Sequence, residues 1–208
     1  MQPAHEIPPH EYAVAGWLPV GRSGDWSVER FHVAGDPAAH AGYAQRGLSP
    51  AGQYTQLLGP GSNGPRSKWM CDEPAEFLST FEFCEAARGR VVITGLGLGC
   101  VPSWLIKHSP ALESITIVER NRDVIDLVAA PLRRLAADHG RVIAIACGDG
   151  GEPHGGQRFH VALHDHWEGT PADEMVDRVF AAWRPFADRQ FAWTAINQPL
   201  RRDRKSTR

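Results

Sequence analysis

Three glycines alternate with two leucines in the segment Gly95-Leu96-Gly97-Leu98-Gly99, and this segment constrains the fold more than any other part of the chain. It follows an apolar run at residues 90–94 and precedes apolar residues at helical spacing. The pattern therefore predicts a buried strand, a tight turn and a helix. Glycine suits such a corner because it tolerates unusual backbone angles and has no Cβ to obstruct a ligand. A tight turn that binds nothing is the alternative interpretation of the glycines alone.

Strand and helix patterns alternate from about residue 72 to the C-terminus. The predicted strands are short apolar runs at residues 90–94, 114–119, 141–146, 159–163 and 190–196. Helical patterns lie between most of them, and this order favours parallel strands joined by right-handed connections. The sequence therefore predicts an α/β fold, a Rossmann-like and mainly parallel sheet with about five recognisable strands.

Local signals predict where the helices begin and end. Residues 73–88 carry an apolar stripe at helical spacing, and Asp72 before them is expected to cap the helix. Asn121 is expected to cap a later helix, which Pro131 should break or kink near Ala130 because proline has no N–H group. Residues 171–186 form the last predicted helix.

The first 70 residues are richer in Gly, Pro, His and Ser than the rest of the chain. Residues 26–33 alternate between apolar and polar side chains, which is typical of a strand, and residues 54–58 are its predicted partner. Residues 59–65 are predicted to be a loop. We therefore expect a β-rich extension at residues 1–70, a Rossmann-like domain at 71–198 and a solvated basic tail at 199–208.

Two acidic residues are expected at the carboxyl ends of the strands that follow the glycine turn. Glu119 ends the second predicted strand, and Asp149 follows the third. Ligands of open α/β sheets bind at this edge, where Glu119 could accept hydrogen bonds from ribose hydroxyls and Asp149 could reach an adenine edge. A surface acid at Glu119 and a simple Asp-Gly turn at Asp149 are the alternatives. The three features in this order favour a nucleotide site.

The glycine spacing also bears on the choice of cofactor. A dinucleotide-binding G-x-G-x-x-G pattern would place its third glycine at Cys100, whereas the chain has G-x-G-x-G. That pattern resembles the first motif of class I S-adenosylmethionine-dependent methyltransferases, and the resemblance extends over residues 68–197. Residues 91–128 are especially similar to proteins of the spermidine-synthase-like group.

This resemblance implies S-adenosylmethionine as the cofactor and gives roles to particular residues. In the family, the glycine turn holds the methionine and ribose part of the ligand, and acids after the second and third strands hold the ribose and the adenine. The implied cofactor-binding residues are Gly95, Leu96, Gly97, Gly99, Glu119, Arg120, Gly148, Asp149 and Asp165. Residues 69–74 resemble a segment that lies near the active-site mouth in such proteins.

The chain departs from the family pattern in two places. Thr94 stands where many methyltransferases have an acidic residue before the first glycine. The antiparallel strand pair that usually completes the sheet has no clear counterpart after the fifth strand. We expect it to be missing or to be supplied by the N-terminal β-rich extension.

The segment His164-Asp165-His166-Trp167 follows the fourth predicted strand and is expected to form the reacting edge. Asp165 and His164 are the candidate catalytic residues, because Asp165 could deprotonate or orient an acceptor amine or hydroxyl. The His-x-His pair could also ligate a metal, but no further ligand cluster accompanies it, so no metal is predicted.

The predicted function is S-adenosylmethionine-dependent methyl transfer to an unidentified acceptor, either a small molecule or a protein. Two alternatives stay open: an aminopropyl transferase, and a non-catalytic nucleotide-binding or interaction module of the same fold. A net charge of -2 gives no support for a nucleic-acid partner, and no apolar run suggests a membrane. The four cysteines lack a C-x-x-C pair, which favours reduced thiols in the cytoplasm. Oligomerisation is compatible with the sequence.

Overall fold

The computed structural model describes residues 13–34, 49, 51–153, 155–194 and 200–203, apart from the side chains of Ala75 and Leu78. Within these ranges the chain forms two β-sheets and four α-helices. The first sheet is antiparallel in the order β1-β2-β3-β4. Its strands are β1 (Gly21–Ser23), β2 (Trp26–Val33), β3 (Gly52–Gly61) and β4 (Gly64–Cys71).

The first sheet confirms the predicted pairing of residues 26–33 with residues 54–58. The prediction of a loop at residues 59–65 is wrong, because β3 and β4 continue through most of this segment and only residues 62–63 turn. The glycine at position 59 was interpreted as a turn signal, but it serves packing. A Cβ on Gly59 would lie 2.5 Å from the indole of Trp26, so glycine is needed here for close contact within a strand.

The second sheet has the order β10-β9-β8-β5-β6-β7, and only β10 runs antiparallel to its neighbour. Helices connect most of the strands, which confirms the Rossmann-like α/β fold. In chain order, the strands of this sheet and the helices around them are α1 (Pro74–Ala86), β5 (Gly89–Thr94), α2 (Cys100–His108), β6 (Leu112–Glu119), α3 (Arg122–Asp138), β7 (Val142–Cys147), β8 (Phe159–His164), α4 (Asp173–Trp183), β9 (Ala187–Ala192) and β10 (Arg201–Arg202).

The C-terminal edge of the second sheet differs from the prediction. The N-terminal strands form a sheet of their own, and the strand at this edge comes from the tail, where Arg201 pairs with Ala192. Arg201 also forms ion pairs with Asp173 and Asp177 of α4, so this part of the tail is not a freely solvated extension. The strand predicted at residues 190–196 is β9, which begins at Ala187 because it pairs there with β8; residues 195–199 lie outside the described ranges.

Helix α3 confirms one expectation and contradicts another. The side chain of Asn121 accepts hydrogen bonds from the amides of Asp123 and Val124, as predicted for a helix cap. The expected break at Pro131 is wrong, because the helix runs to Asp138 with Pro131 inside it. A proline inside a helix costs about 3 kcal/mol. Because Pro131 is buried, and Val128 and Leu132 beside it are fully buried in the core, apolar burial offsets this cost.

Helices pack on both faces of the second sheet. Ile93 of β5 lies in the same apolar cluster as Val128 of α3. Its neighbour Val92 points to the opposite face and lies in a cluster with Trp183 of α4. The strand β5, which precedes the glycine turn, is therefore held rigidly from both sides, as the apolar run predicted.

Asp72 lies between the first sheet and helix α1 and does not cap that helix, so the predicted cap is wrong. The residue that caps α1 is Glu73, and no side chain bonds the exposed amides there. Asp72 is buried, and its two carboxylate oxygens accept the amide hydrogens of Val14, at 3.0 Å, and Thr55, at 2.5 Å. The carboxylate therefore ties an N-terminal turn to strand β3.

We expect the substitution Asp72→Ala to lower the free energy of unfolding by about 3 kcal/mol, because two buried amides would lose their acceptor. Asp126→Ala, at an exposed position of α3, is the matched control and should change stability by less than about 0.5 kcal/mol. Denaturant unfolding of both variants measures the difference. Equal stability of the two would contradict this role of Asp72.

Candidate functional site

The glycine turn follows β5 at the carboxyl end of the second sheet. Gly95, Gly97 and Gly99 have φ values of 101°, 50° and 76°, a range in which other residues are strained. The amide of Gly95 donates to Val118 O at 2.8 Å, which attaches the start of the turn to the adjacent strand β6. Gly99 then caps α2 in the left-handed conformation. The predicted strand, turn and helix are confirmed.

The glycines are required by contacts inside the protein as well as by their backbone angles. A Cβ on Gly95 would collide with the backbone oxygen of Asp165, and one on Gly97 would collide with Sδ of Met70. The same Met70 sulfur accepts a hydrogen bond from the amide of Leu98 at 3.0 Å. Strand β4 of the first sheet therefore places a thioether directly on the glycine turn.

Glu119 supports the turn from the end of β6. Its Oε2 accepts the amide hydrogen of Leu96 at 2.8 Å, and its Oε1 accepts that of Asn121 at 2.8 Å. Each carboxylate oxygen has a second lone pair, so these two bonds leave acceptor capacity for a ligand. The prediction that Glu119 lies beside the glycine turn is confirmed, and the structure adds that the carboxylate shapes the turn.

A cavity of about 340 Å³ opens in front of the turn, a size within the range of small-molecule sites. Its lining residues are Trp26, Leu57, Pro60, Trp69, Met70, Gly95, Gly97, Glu119, Arg120, Asn121, Val124, Gly150, Asp165, His166 and Trp167. We call it the first cavity. It brings together five of the residues singled out from the sequence, namely Gly95, Gly97, Glu119, Arg120 and Asp165.

Other residues singled out from the sequence do not line the first cavity: Leu96, Gly99, Gly148, Asp149 and His164. Asp149 is exposed, and its Oδ1 accepts the amide hydrogen of Gly151 at 2.8 Å, as in a simple Asp-Gly turn. In its place Gly150 reaches the cavity wall. Leu96 contributes its amide to Glu119, and its side chain is buried in the core.

The first sheet supplies cavity residues that reasoning from the sequence did not assign. Trp26 and Trp69 stand 5.1 Å apart between ring centroids, and Met70 follows Trp69 on β4. The only sequence signal for Trp69 and Met70 was the resemblance of residues 69–74 to a segment near an active-site mouth, and Trp26 had none. Periodicity could not identify them, because the contact of β4 with the glycine turn joins residues distant in the chain.

His164 was a candidate catalytic residue, but the structure places it away from the cavity. Its ring is fully buried, with Nε2 3.1 Å from Gln190 Oε1 and Nδ1 3.3 Å from Thr94 Oγ1. Burial lowers its pKa to about 3, so the ring is neutral. His164 therefore bonds to neighbouring strands inside the protein and lines neither of the two cavities described here. Thr94 also lies 2.6 Å from Nδ1 of His166, which explains a hydroxyl at this position.

Asp165 is the acidic residue of the segment 164–167. Its backbone amide donates to Thr94 O at 2.8 Å, which fixes its position beside the turn. Its carboxylate lines the first cavity and accepts no hydrogen bond from the residues that the structure describes. Burial, together with the negative charges of Glu76 and Glu119, raises its pKa to about 7. A group of this kind can hold or release a proton near neutral pH.

A second cavity, of about 320 Å³, is also lined by Asp165. Four residues line both cavities and form their common wall: Trp69, Met70, Asp165 and Trp167. The remaining residues of the second cavity are Ser62, Asn63, Ser67, Lys68, Cys71, Glu76, Phe77, Thr80, Cys100, Val101, Glu168, Gly169 and Trp193. The two cavities thus share one acidic residue, Asp165.

The described residues contain neither a metal-binding cluster nor a helix that could span a membrane. No group of three or more His, Cys, Asp or Glu side chains in this part of the chain is arranged to hold a metal ion. Among the four helices described above, none is long and apolar enough to cross a membrane.

No protein-family model and no curated protein matches this sequence. Solved structures with a similar backbone include YcgJ from Bacillus subtilis, which is 15% identical over 55% of this chain and 49% of that chain, with a TM-score of 0.42. The mitomycin 7-O-methyltransferase MmcR is 20% identical over 58% and 36% of the two chains, with a TM-score of 0.42. TrmK from M. capricolum, solved with S-adenosyl-homocysteine, is 7% identical over 54% and 49%, with a TM-score of 0.43. This chain therefore spans half or less of each of these structures.

The raised pKa of Asp165 leads to a pH-dependent stability. Between its ordinary value of 3.8 and about 7, the folded protein retains a proton that the unfolded chain has lost. Stability from this group is therefore lost as the pH rises through this range. The variant Asp165→Asn should gain stability relative to the wild-type protein from pH 4 to pH 7, by at least about 1 kcal/mol.

Denaturant unfolding at several pH values measures this difference, and the contributions of unchanged groups largely cancel between the two proteins. Asp126→Asn, at an exposed position of α3, is the matched control, and its stability should change with pH in parallel with that of the wild-type protein. Parallel curves for Asp165→Asn as well would contradict the raised pKa.

Proposed function

We propose that the first cavity binds S-adenosylmethionine and that the protein transfers its methyl group to an acceptor. The observation that carries this proposal is the meeting of the Gly95–Gly99 turn and the Glu119 carboxylate at the end of neighbouring parallel strands, on the wall of one cavity. Nucleotide ligands of open α/β sheets bind at this edge. The cavity volume and its aromatic walls suit a ligand with an adenine ring.

Each part of the cavity has a function in this proposal. The free lone pairs of Glu119 accept hydrogen bonds from ribose hydroxyls, and Gly95 and Gly97 let the ligand approach the backbone closely. The indole rings of Trp26, Trp69 and Trp167 offer flat apolar surfaces for the base. Because Met70 is flexible and its sulfur is a weak acceptor, a ligand oxygen can replace it at the Leu98 amide.

When bound, the sulfonium cofactor supplies an electrophilic methyl group. The chain's own contribution is to exclude water and to hold the acceptor in line, since positioning accounts for much of the acceleration of such a displacement. Asp165 stands at the common wall, where its carboxylate can take a proton from the attacking amine or hydroxyl.

One observation favours a second candidate, a module that binds a nucleotide without catalysis. Met70 lies on the glycine turn and fills part of the space in which a ligand would contact Gly97. Binding without turnover would support this candidate over the transferase.

A thermal melt separates these functions. S-adenosylmethionine or S-adenosylhomocysteine at 100 times its dissociation constant should add about 2.7 kcal/mol of stability, which is a shift of several degrees. NAD should give no shift. Decarboxylated S-adenosylmethionine, the donor of an aminopropyl transferase, is tested in parallel. No shift with any of these ligands would contradict the proposed cofactor site.

The substitution Glu119→Ala should weaken the binding of S-adenosylhomocysteine at least about tenfold, because it removes the ribose acceptor and the acceptor for the Leu96 amide. Glu113→Ala is the matched control, since Glu113 is exposed at the opposite end of the same strand. Isothermal titration calorimetry measures both dissociation constants. Equal affinity of the two variants for S-adenosylhomocysteine would show that Glu119 does not bind this ligand.

A further inference from the structure

The second cavity has its own chemical character, which the proposed cofactor site does not use. Phe77 and three indoles, those of Trp69, Trp167 and Trp193, provide apolar walls. The carboxyl groups of Glu76 and Asp165 also line the cavity, together with Glu168 at its exposed side. Burial raises the pKa of Glu76 to about 7, as it does for Asp165, so a bound cation favours the ionised form of both carboxyl groups. Flat apolar walls and groups that are negative beside a cation therefore occur in the same cavity.

Most of the hydrogen-bond donors that line the second cavity are satisfied within the protein. Each of the three indole N–H groups donates to a protein oxygen: Trp69 to Pro60 O, Trp167 to Trp193 O and Trp193 to Ser79 Oγ. Among the hydroxyl groups, Ser67 donates to Gly64 O and Thr80 donates to Phe77 O. The indoles thus offer their rings to a ligand, and not their donors.

The positive charge in this cavity is also paired. Lys68 Nζ lies 3.5 Å from an oxygen of Glu73, which forms a salt bridge with it. On the negative side, one Glu76 oxygen accepts the amide hydrogen of Cys71 at 2.7 Å. The Cys71 thiol lies 3.3 Å from the other Glu76 oxygen but 2.7 Å from Glu73, so its single proton goes to Glu73. Each Glu76 oxygen therefore keeps at least one lone pair, and the Asp165 carboxylate keeps all of its acceptor capacity. The cavity is therefore rich in free acceptors and poor in free donors.

A complementary ligand must supply hydrogen-bond donors, carry positive charge and present an apolar surface to the indole rings. An ammonium group meets the first two requirements, because it has several N–H donors and pairs with carboxylates. Aromatic walls attract both a flat ring and an adjacent cation. An anionic ligand would face Glu76 and Asp165 with no unpaired cation to offset them.

We propose that the second cavity is the acceptor site and that it binds a small amine carried on an aromatic ring. This inference rests on the proposed methyl transfer, since the acceptor must reach the cofactor through the common wall of Trp69, Met70, Asp165 and Trp167. The cavity volume of about 320 Å³ suits a ligand of one or two rings. In this proposal Glu76 binds the ammonium group of the amine. Asp165 lies where the nitrogen of the amine approaches the cofactor.

The reaction at this wall begins with a proton transfer and ends with a neutral thioether. The ammonium group first gives one proton to the Asp165 carboxylate, which frees the lone pair of the nitrogen. That lone pair forms a bond to the methyl carbon as the carbon–sulfur bond breaks, and both electrons of the broken bond stay on sulfur. The products are a methylated ammonium ion and a neutral thioether, and Asp165 then returns its proton to water.

The test uses the full chain and defined probes, with titration calorimetry in the presence of saturating S-adenosylhomocysteine. 2-Phenylethylamine and tryptamine should bind at least about tenfold more tightly than 3-phenylpropionate, which has the ring without the cation, and than putrescine, which has the cation without the ring. Incubation of the two aromatic amines with S-adenosylmethionine should yield the N-methylated products, detected by mass spectrometry.

Two variants and a matched control locate the amine. Glu76→Gln removes the charge and should weaken the binding of 2-phenylethylamine at least about tenfold. Val101→Phe fills the cavity without changing charge and should abolish amine binding. Glu85→Gln makes the same charge change at an exposed position of helix α1 and should have no effect. All three variants should keep the wild-type affinity for S-adenosylhomocysteine, which shows that the fold is intact.

The outcomes separate this inference from the proposed function. If S-adenosylhomocysteine binds but the aromatic amines bind no better than putrescine or 3-phenylpropionate, the acceptor class is wrong and the cofactor site stands. Tighter binding of putrescine would assign the cavity to linear amines and overturn the aromatic class. If S-adenosylhomocysteine does not bind, the proposed function fails and the acceptor role fails with it.

Discussion

The shape of the candidate site depends on how closely other elements approach the glycine turn. The three glycines each face a different part of the chain: the backbone of Asp165, the thioether of Met70 and, at 3.0 Å from a Cβ position, the indole of Trp17. A side chain at any of these positions would push one of those elements away. The glycine turn is therefore in contact with the first sheet, with the segment 164–167 and with the N-terminal turn. The two cavities exist because these contacts hold their common wall in place.

Features that depend on local sequence were predictable. The glycines with the apolar run before them predicted the strand, turn and helix, and Asn121 predicted its helix cap, because these signals act over only a few residues. The alternation of strands and helices likewise predicted the parallel sheet. The position of Glu119 followed from these, since the carboxyl ends of neighbouring parallel strands meet at one edge.

Features that depend on contacts between distant residues were not predictable from pattern alone. Gly59 resembles a turn residue until Trp26 is placed against it, and Pro131 resembles a helix break until the burial of its neighbours is known. His164 and Asp165 are adjacent in the sequence, yet His164 ends β8 and is fully buried, whereas Asp165 follows the strand and lines the cavity. The role of Met70 depends on the contact between β4 and the glycine turn, which the sequence pattern does not contain.

The position of Asp165 links the two proposed binding events. The two carboxylates that raise its pKa belong to different compartments, Glu119 to the first cavity and Glu76 to the second. A positive charge bound in either cavity favours the ionised form of Asp165, and so favours a second positive charge on the other side. The two cations also repel each other, but the repulsion between the ligands ends when the amine gives its proton to Asp165. The shared carboxylate thus favours assembly of both ligands and then the proton transfer that makes the nitrogen a nucleophile.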